Sequence, residues 1–389
     1  MRATSLLLTS TSMTAAAVVS MMALAAGPAE AVVTEAPAAP KTALDIKTVA
    51  AGLENPWGLQ FLPDGRMLVT ERPGRLRIVG RDGKLSQPVA GVPAVHARGQ
   101  GGLLDVRLGK DFASAGTIFL SFAEPRGDGK AGTAVVSARL VLDGDGGRLE
   151  NVKRIFQQNL AGSAGQHFGS RIVIDNSGAL FITTGDRGNL SDKAQDPAIT
   201  IGKVIRINPD GTVPADNPKP EGWAPEVWSM GHRNIQGAVL DPVTGKLWTV
   251  EHGARGGDEL NQPQAGRNYG WPVISYGRHY SGFKIGEGTS KSGMEQPVYY
   301  WDPSIAVAGL ELYTGDLFPQ WKGNLLVGGM AGSRISRLVV EGGKVTAEET
   351  LAEGRGDRFR DVRQGPDGAI YALTDDTRGE ILRIAPPGK

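Results

Sequence analysis

Five histidines occur in the 389 residues, and three of them lie in phrases crowded with glycine and polar side chains. These are Gly165-Gln166-His167-Phe168-Gly169, Gly231-His232-Arg233-Asn234 and Glu251-His252-Gly253. Glycine lets a backbone approach a ligand closely, so His167 is either a catalytic group or an ordinary satisfied side chain. No histidine pair has the i, i+4 spacing of a helical zinc motif, which argues against zinc. Arg358-Phe359-Arg360-Asp361 would aim both guanidiniums to one side of a strand. That makes either a clamp for carboxylate or phosphate, or a surface ladder of Arg–Asp pairs. The loop Gly253-Ala254-Arg255-Gly256-Gly257-Asp258-Glu259-Leu260-Asn261 is rich in oxygen donors. Carbonyls with Asp, Glu and Asn suit a hard cation such as Ca²⁺, and a long turn capped by Asp258 on its own backbone is the competing reading. The absence of cysteine excludes disulfides, thiolate metal sites and cysteine nucleophiles. Lys plus Arg number 42 against 41 Asp plus Glu, a balance that argues against a nucleic-acid partner.

The elements that must position these groups are short strands. A turn phrase recurs six times: an Asp, Pro or polar residue, then Gly, one variable residue and two apolar ones. Its glycines are Gly65, Gly116, Gly178, Gly245, Gly323 and Gly368. A glycine with positive φ closes a hairpin before a strand begins. Six copies without any amphipathic run of helical length predict an all-β fold, a six-bladed β-propeller of four-stranded antiparallel blades. Residues 43–50 and 380–385 are both strand-like and suited to closing the ring.

The chain opens with Arg2, an apolar stretch from Thr14 to Ala26 and the small-x-small triplet Ala29-Glu30-Ala31. This pattern predicts a cleavable signal peptide over residues 1–31 and a secreted or periplasmic protein. An Ala/Pro-rich linker over 32–42 and a catalytic propeller domain over 43–389 would follow. No later run is long and apolar enough for an integral membrane segment.

Taken in order, several phrases resemble one family. They are Asn55-Pro56-Trp57-Gly58, Gly99-Gln100-Gly101-Gly102, Gln166-His167-Phe168-Gly169-Ser170-Arg171, Gly231-His232-Arg233-Asn234, Glu251-His252-Gly253, Gly257-Asp258-Glu259-Leu260-Asn261, Asn268-Tyr269-Gly270-Trp271-Pro272 and Arg358-Phe359-Arg360-Asp361. The chain resembles the soluble quinoprotein aldose (glucose/sorbosone-type) dehydrogenases, and the likeness covers about residues 45–385. The resemblance implies pyrroloquinoline quinone and Ca²⁺ as cofactors. It also implies oxidation of an aldose sugar at C1 to a lactone by hydride transfer, with electrons leaving to an external acceptor. It makes His167 the general base. Gln100, Arg233, Asn234, Tyr280, Tyr299, Ser304, Arg358 and Arg360 fall on positions that border cofactor or sugar. Gly253, Ala254, Glu259 and Tyr269 fall on calcium positions. Ala331 stands where the family places a lysine, which lowers the expected cofactor affinity unless Arg334 reaches in. A monomer or homodimer is expected. The alternatives are a calcium-dependent propeller lactonase or hydrolase, and a non-catalytic propeller that binds proteins or glycans. Neither needs three arginines aimed at one pocket.

Overall fold

A computed structural model describes residues 36–389, and its regular structure is almost entirely strand. Six sheets follow one another along the chain as blades. Their innermost strands are Pro56–Phe61, Leu103–Leu108, Gly169–Ile174, Ile235–Leu240, Val307–Leu312 and Phe359–Gln364. Each packs on the innermost strands of the preceding and following blades, and the last returns to the first. The result is the six-bladed propeller expected from the repeated turn. All six turn glycines have φ from +70° to +97°. Each precedes the second strand of its blade, beginning at Met67, Thr117, Leu180, Leu247, Leu325 and Ile370.

The ring closes through Asp45–Leu53, which pairs antiparallel with Gly379–Ala385 and becomes the outermost strand of the sixth blade. Two blades depart from four strands. The first has three; residues after Val79 return to it only through isolated bonds, Ser86 N–H to Ile78 and Val89 N–H to Leu76. Pro88 between them has no N–H to offer a ladder. The third blade gains a short fifth strand, Arg267–Asn268, parallel to Val227–Met230. The stretch expected as a linker lies against the fifth blade where it is described: Ala39 N–H donates to the Glu348 carbonyl, and the Trp321 indole N–H reaches Thr42 Oγ1. The expected signal peptide and residues 32–35 lie outside the described residues.

The apolar core lies between blades. Leu59 and Val69 of the first meet Leu373 and Ile381 of the sixth, and Leu326 and Ile335 of the fifth meet Val362 and Ile370 of the sixth. Among the described residues no helix is long and apolar enough to cross a membrane. The channel is plugged by charge instead of apolar side chains. Arg171 is fully buried, with Nη1 3.3 Å from Asp105 Oδ1 and Nη2 3.1 Å from Asp361 Oδ1. Its Nε donates to the Gln236 carbonyl at 2.6 Å, and its guanidinium lies 4.0 Å from the centre of the Trp57 ring. Arg363 continues the plug, 3.2 Å from Asp361 and 3.7 Å from Glu311.

Candidate active site

Above this plug lie the ends of the inner hairpins. In the third blade Gly169 pairs with Thr184 across the hairpin. Two residues further out on each side stand His167 and Asp186, whose Nδ1 and Oδ1 are 2.6 Å apart. His167 is 6 % exposed and has φ +56°. Its backbone N–H donates to Gln100 Oε1 at 2.8 Å. Asp186 is held from two further sides, by the Trp271 indole N–H on Oδ2 at 2.8 Å and by the Gly188 N–H on Oδ1 at 2.7 Å. Burial pushes the His167 imidazolium below its ordinary range, against the upward pull of its hydrogen bond to Asp186, and Arg233 adds to the downward push. The ring is therefore neutral at neutral pH, with Nδ1–H donated to Asp186 and Nε2 left as the basic nitrogen.

Arg233 and Asn234 enter the next blade's innermost strand. The Asn234 Oδ1 accepts the Gly169 N–H at 3.1 Å and the Gln236 amide at 3.1 Å. Gln236 Oε1 in turn accepts Arg360 Nη1 at 3.1 Å. Arg360 and Arg358 do point to one side, because both reach Asp375: 2.8 Å from Arg360 and 3.7 Å from Arg358. Arg72, from the first blade, stands 3.8 Å from the other oxygen of Asp375. Among the described residues the buried atoms Arg233 Nε, Asn234 Nδ2, Arg72 Nε and Arg360 Nε donate to nothing. Buried donors are normally satisfied, so this set fits an anionic, acceptor-rich ligand such as a quinone carrying three carboxylates.

In the oxygen-rich loop the capped-turn reading is seen directly. Asp258 does cap its own turn, accepting Gly253 N–H at 2.8 Å, and its other oxygen accepts Val307 N–H at 3.1 Å. Glu259 faces Glu251 across adjacent strands, and Asn261 Nδ2 donates to both, at 3.0 and 3.1 Å. Burial, then the Glu251 carboxylate, push the Glu259 carboxyl up to about 8. Glu251, Gly253, Glu259 and Tyr269 line one small cavity, and Ser304 Oγ lies 3.4 Å from the Ala254 carbonyl beside it. Two acidic side chains this close together would be compensated by a bound cation, which would also keep both ionised. Among the described residues no group of three or more Asp, Glu, His or Cys surrounds one point, so a cation here would draw on backbone carbonyls as well. That donor set suits Ca²⁺.

Three expected positions stand apart. Tyr299 turns between blades, its hydroxyl donating to Glu348 Oε2 at 2.8 Å and its ring edge-on to Trp301. Tyr280 is 75 % exposed on a surface loop. Arg334 donates to Thr350 Oγ1 at 3.2 Å, towards the outer strand of the fifth blade, and does not join the group at Asp375. Sequence reasoning missed Asp186, Arg72 and Asp375. Two of them had an available signal: counting outward from the Gly169–Thr184 and Phe359–Thr374 pairs brings Asp186 to His167 and Asp375 to Arg358.

At one end of the channel the propeller gathers a buried His–Asp pair and three arginines whose Nε atoms make no hydrogen bond among the described residues. The model of the glucose/sorbosone dehydrogenase family matches residues 53–383, and the chain belongs to that family. The chain is 46% identical over 354 residues to the aldose sugar dehydrogenase YliI of Escherichia coli K12, covering 90% of this chain and 94% of that one. The apo-form crystal structure of soluble aldose sugar dehydrogenase from Escherichia coli superposes with a TM-score of 0.85 at 45% identity, covering 88% of this chain and 99% of that one. A PQQ-bound aldose sugar dehydrogenase from Streptomyces coelicolor matches at 28% identity and a TM-score of 0.73, over 89% of this chain and 100% of that one.

Proposed function

We propose that this chain is a PQQ-dependent aldose sugar dehydrogenase that oxidises the C1 hydroxyl to a lactone and passes electrons to an external acceptor. The observation that carries the reading is the His167–Asp186 pair, 2.6 Å apart, beside arginines whose buried donors lack partners. When bound, pyrroloquinoline quinone supplies the hydride acceptor and Ca²⁺ the Lewis acid.

The protein's own residues supply the rest. His167 Nε2 takes the hydroxyl proton while Asp186 fixes the tautomer and stabilises the imidazolium that forms. Gln100 holds the His167 backbone. Arg233 and Asn234 would offer their free donors to the cofactor, and Arg358 and Arg360 would bind its carboxylates. Gly253 and Ala254 offer carbonyls, with Glu259 and Tyr269, to calcium. Ser304 sits at the Ala254 carbonyl and borders the pocket. Tyr280 and Tyr299 have no role in this reading. Residues 1–31 are assigned as an export leader, which N-terminal sequencing of the mature protein tests.

The decisive experiment is reconstitution. Apo-protein given quinone, Ca²⁺ and an aldose should reduce a dye, and either component alone should not support turnover. Equal activity in EDTA-treated protein with quinone alone would remove the metal from the reading. No activity with both would remove the dehydrogenase.

A further inference from the structure

Asp375 is the anchor of an unbalanced cluster. It follows the second strand of the sixth blade, and its N–H donates to the Arg358 carbonyl at 2.7 Å. Its carboxylate is met by Arg360 at 2.8 Å, Arg358 at 3.7 Å and Arg72 at 3.8 Å. Three guanidiniums thus share one carboxylate. Arg360 is 6 % exposed and its Nε has no partner among the described residues; Arg72 Nε and Asp375 Oδ1 are likewise buried and unpartnered.

Arg72 is held in this place from both ends. Its N–H donates to the Asn55 carbonyl and its own carbonyl accepts from Leu103 N–H, each at 3.1 Å. Its Nη1 donates to the Gly99 carbonyl at 2.6 Å, one residue before the Gln100 that grips His167. The side chain therefore ties the first and second blades to the arginines of the sixth. Burial pushes the Arg72 guanidinium below its ordinary range; Asp375 opposes this, while Arg360 and Arg358 add to it. Arg360 and Asp375 are buried, Arg72 is partly buried and Arg358 is half exposed at the rim, so the cluster carries an excess of positive charge that a ligand with two or more carboxylates would balance.

We propose that Arg72 is a third cation of the cofactor pocket, binding a carboxylate of the quinone together with Arg358 and Arg360. This assignment rests on the quinone reading above. A simple ion-pair ladder would leave no reason for three guanidiniums to crowd one buried carboxylate with donors unused.

The test is an equilibrium titration of apo-protein with pyrroloquinoline quinone, followed by quenching of tryptophan fluorescence with no turnover involved. Wild type, Arg72→Ala, Arg72→Gln and Arg360→Ala are compared, with circular dichroism to confirm folding. Arg72→Gln keeps a polar side chain, shorter and without the charge, so it serves if the alanine variant fails to fold. Both Arg72 variants should bind about tenfold more weakly or worse, the scale of one charge-assisted hydrogen bond. Their affinity should also fall less steeply with added salt than that of wild type. If folded Arg72→Gln titrates like wild type while Arg360→Ala is weakened, Arg72 is only a partner of Asp375 and this assignment falls alone. If wild type itself does not bind the quinone, the cofactor reading falls and takes the assignment with it.

Discussion

His167 differs from the other two histidines of the Gly-rich phrases in what its ring touches. His232 is engaged at both nitrogens, with Glu251 at 2.9 Å and Ser229 at 2.9 Å. His252 has Nε2 2.7 Å from the Val307 carbonyl, and burial, with Arg233 next, pushes it down to about 3. Only His167 pairs a carboxylate on Nδ1 with an Nε2 that makes no hydrogen bond among the described residues. His167→Gln keeps polarity and reach but cannot accept the substrate proton. It should lose turnover by about 10²-fold or more while quinone titration stays near normal; turnover within threefold of wild type would remove His167 as base. Since burial holds the His167 imidazolium pKa below its ordinary range, the neutral, competent form persists at neutral pH. The wild-type rate should fall only on acidification below the ordinary histidine range. Asp186 raises this pKa, so Asp186→Asn should move the acid limb of kcat to lower pH. It should also reduce the plateau by about 10²-fold or more, because the tautomer is no longer held. An unshifted limb with an unchanged plateau would make Asp186 a bystander.

The inner hairpin is the element that builds the site, and it repeats with the same register logic. Asn55 pairs with Arg72 just outside the Pro56–Glu71 pair, Asn234 with His252 outside Ile235–Glu251, and Arg358 with Asp375 outside Phe359–Thr374. This explains how much the sequence disclosed. The turns were legible because positive φ at a glycine is a local requirement. His167, Arg233 and Arg360 were legible because they sit in distinctive phrases. Asp186, Arg72 and Asp375 lie in unremarkable contexts, and each joins the candidate site only through a partner across a hairpin or from another blade. The glycines of 99–102 show the same dependence. Gly102 has φ +141°, and a Cβ there would strike the Arg72 carbonyl. Gly323 has φ +78° but open space around it. Gly102→Ala should therefore cost about 2–4 kcal/mol of stability and weaken quinone binding. Gly323→Ala should cost about 1–2 kcal/mol and leave binding alone. Urea unfolding and quinone titration of the two variants separate these outcomes; equal effects on binding would break the link between this loop and Arg72.

At the scale of the whole ring, hydrophobic contacts join neighbours, whereas a charged plug joins blades across the channel. Arg171 comes from the third blade and touches Asp105 of the second, Gln236 of the fourth, Asp361 of the sixth and Trp57 of the first. The Arg363 Nη1 bond to the Leu310 carbonyl at 3.1 Å brings in the fifth. An arginine followed by three apolar or β-branched residues reads in sequence as one more surface charge, which is why this plug escaped notice there. Burial works against ionisation of Asp105, yet Arg107, Arg171 and Arg363 hold its carboxyl below its ordinary value. A carboxyl with a depressed folded pKa contributes stability above about pH 4 that is lost as pH falls through the folded value. Arg171→Met leaves the buried Asp105 and Asp361 short of a cation, and losing one partner of a buried pair costs about 3–5 kcal/mol. The loss should be largest at pH 7 and should shrink towards pH 4, because Asp105, freed of Arg171, protonates there in the variant. Urea unfolding at the two pH values reads both the magnitude and its sign. A penalty below 1 kcal/mol, or one that grows on acidification, would mean that the six blades are held by their apolar faces alone.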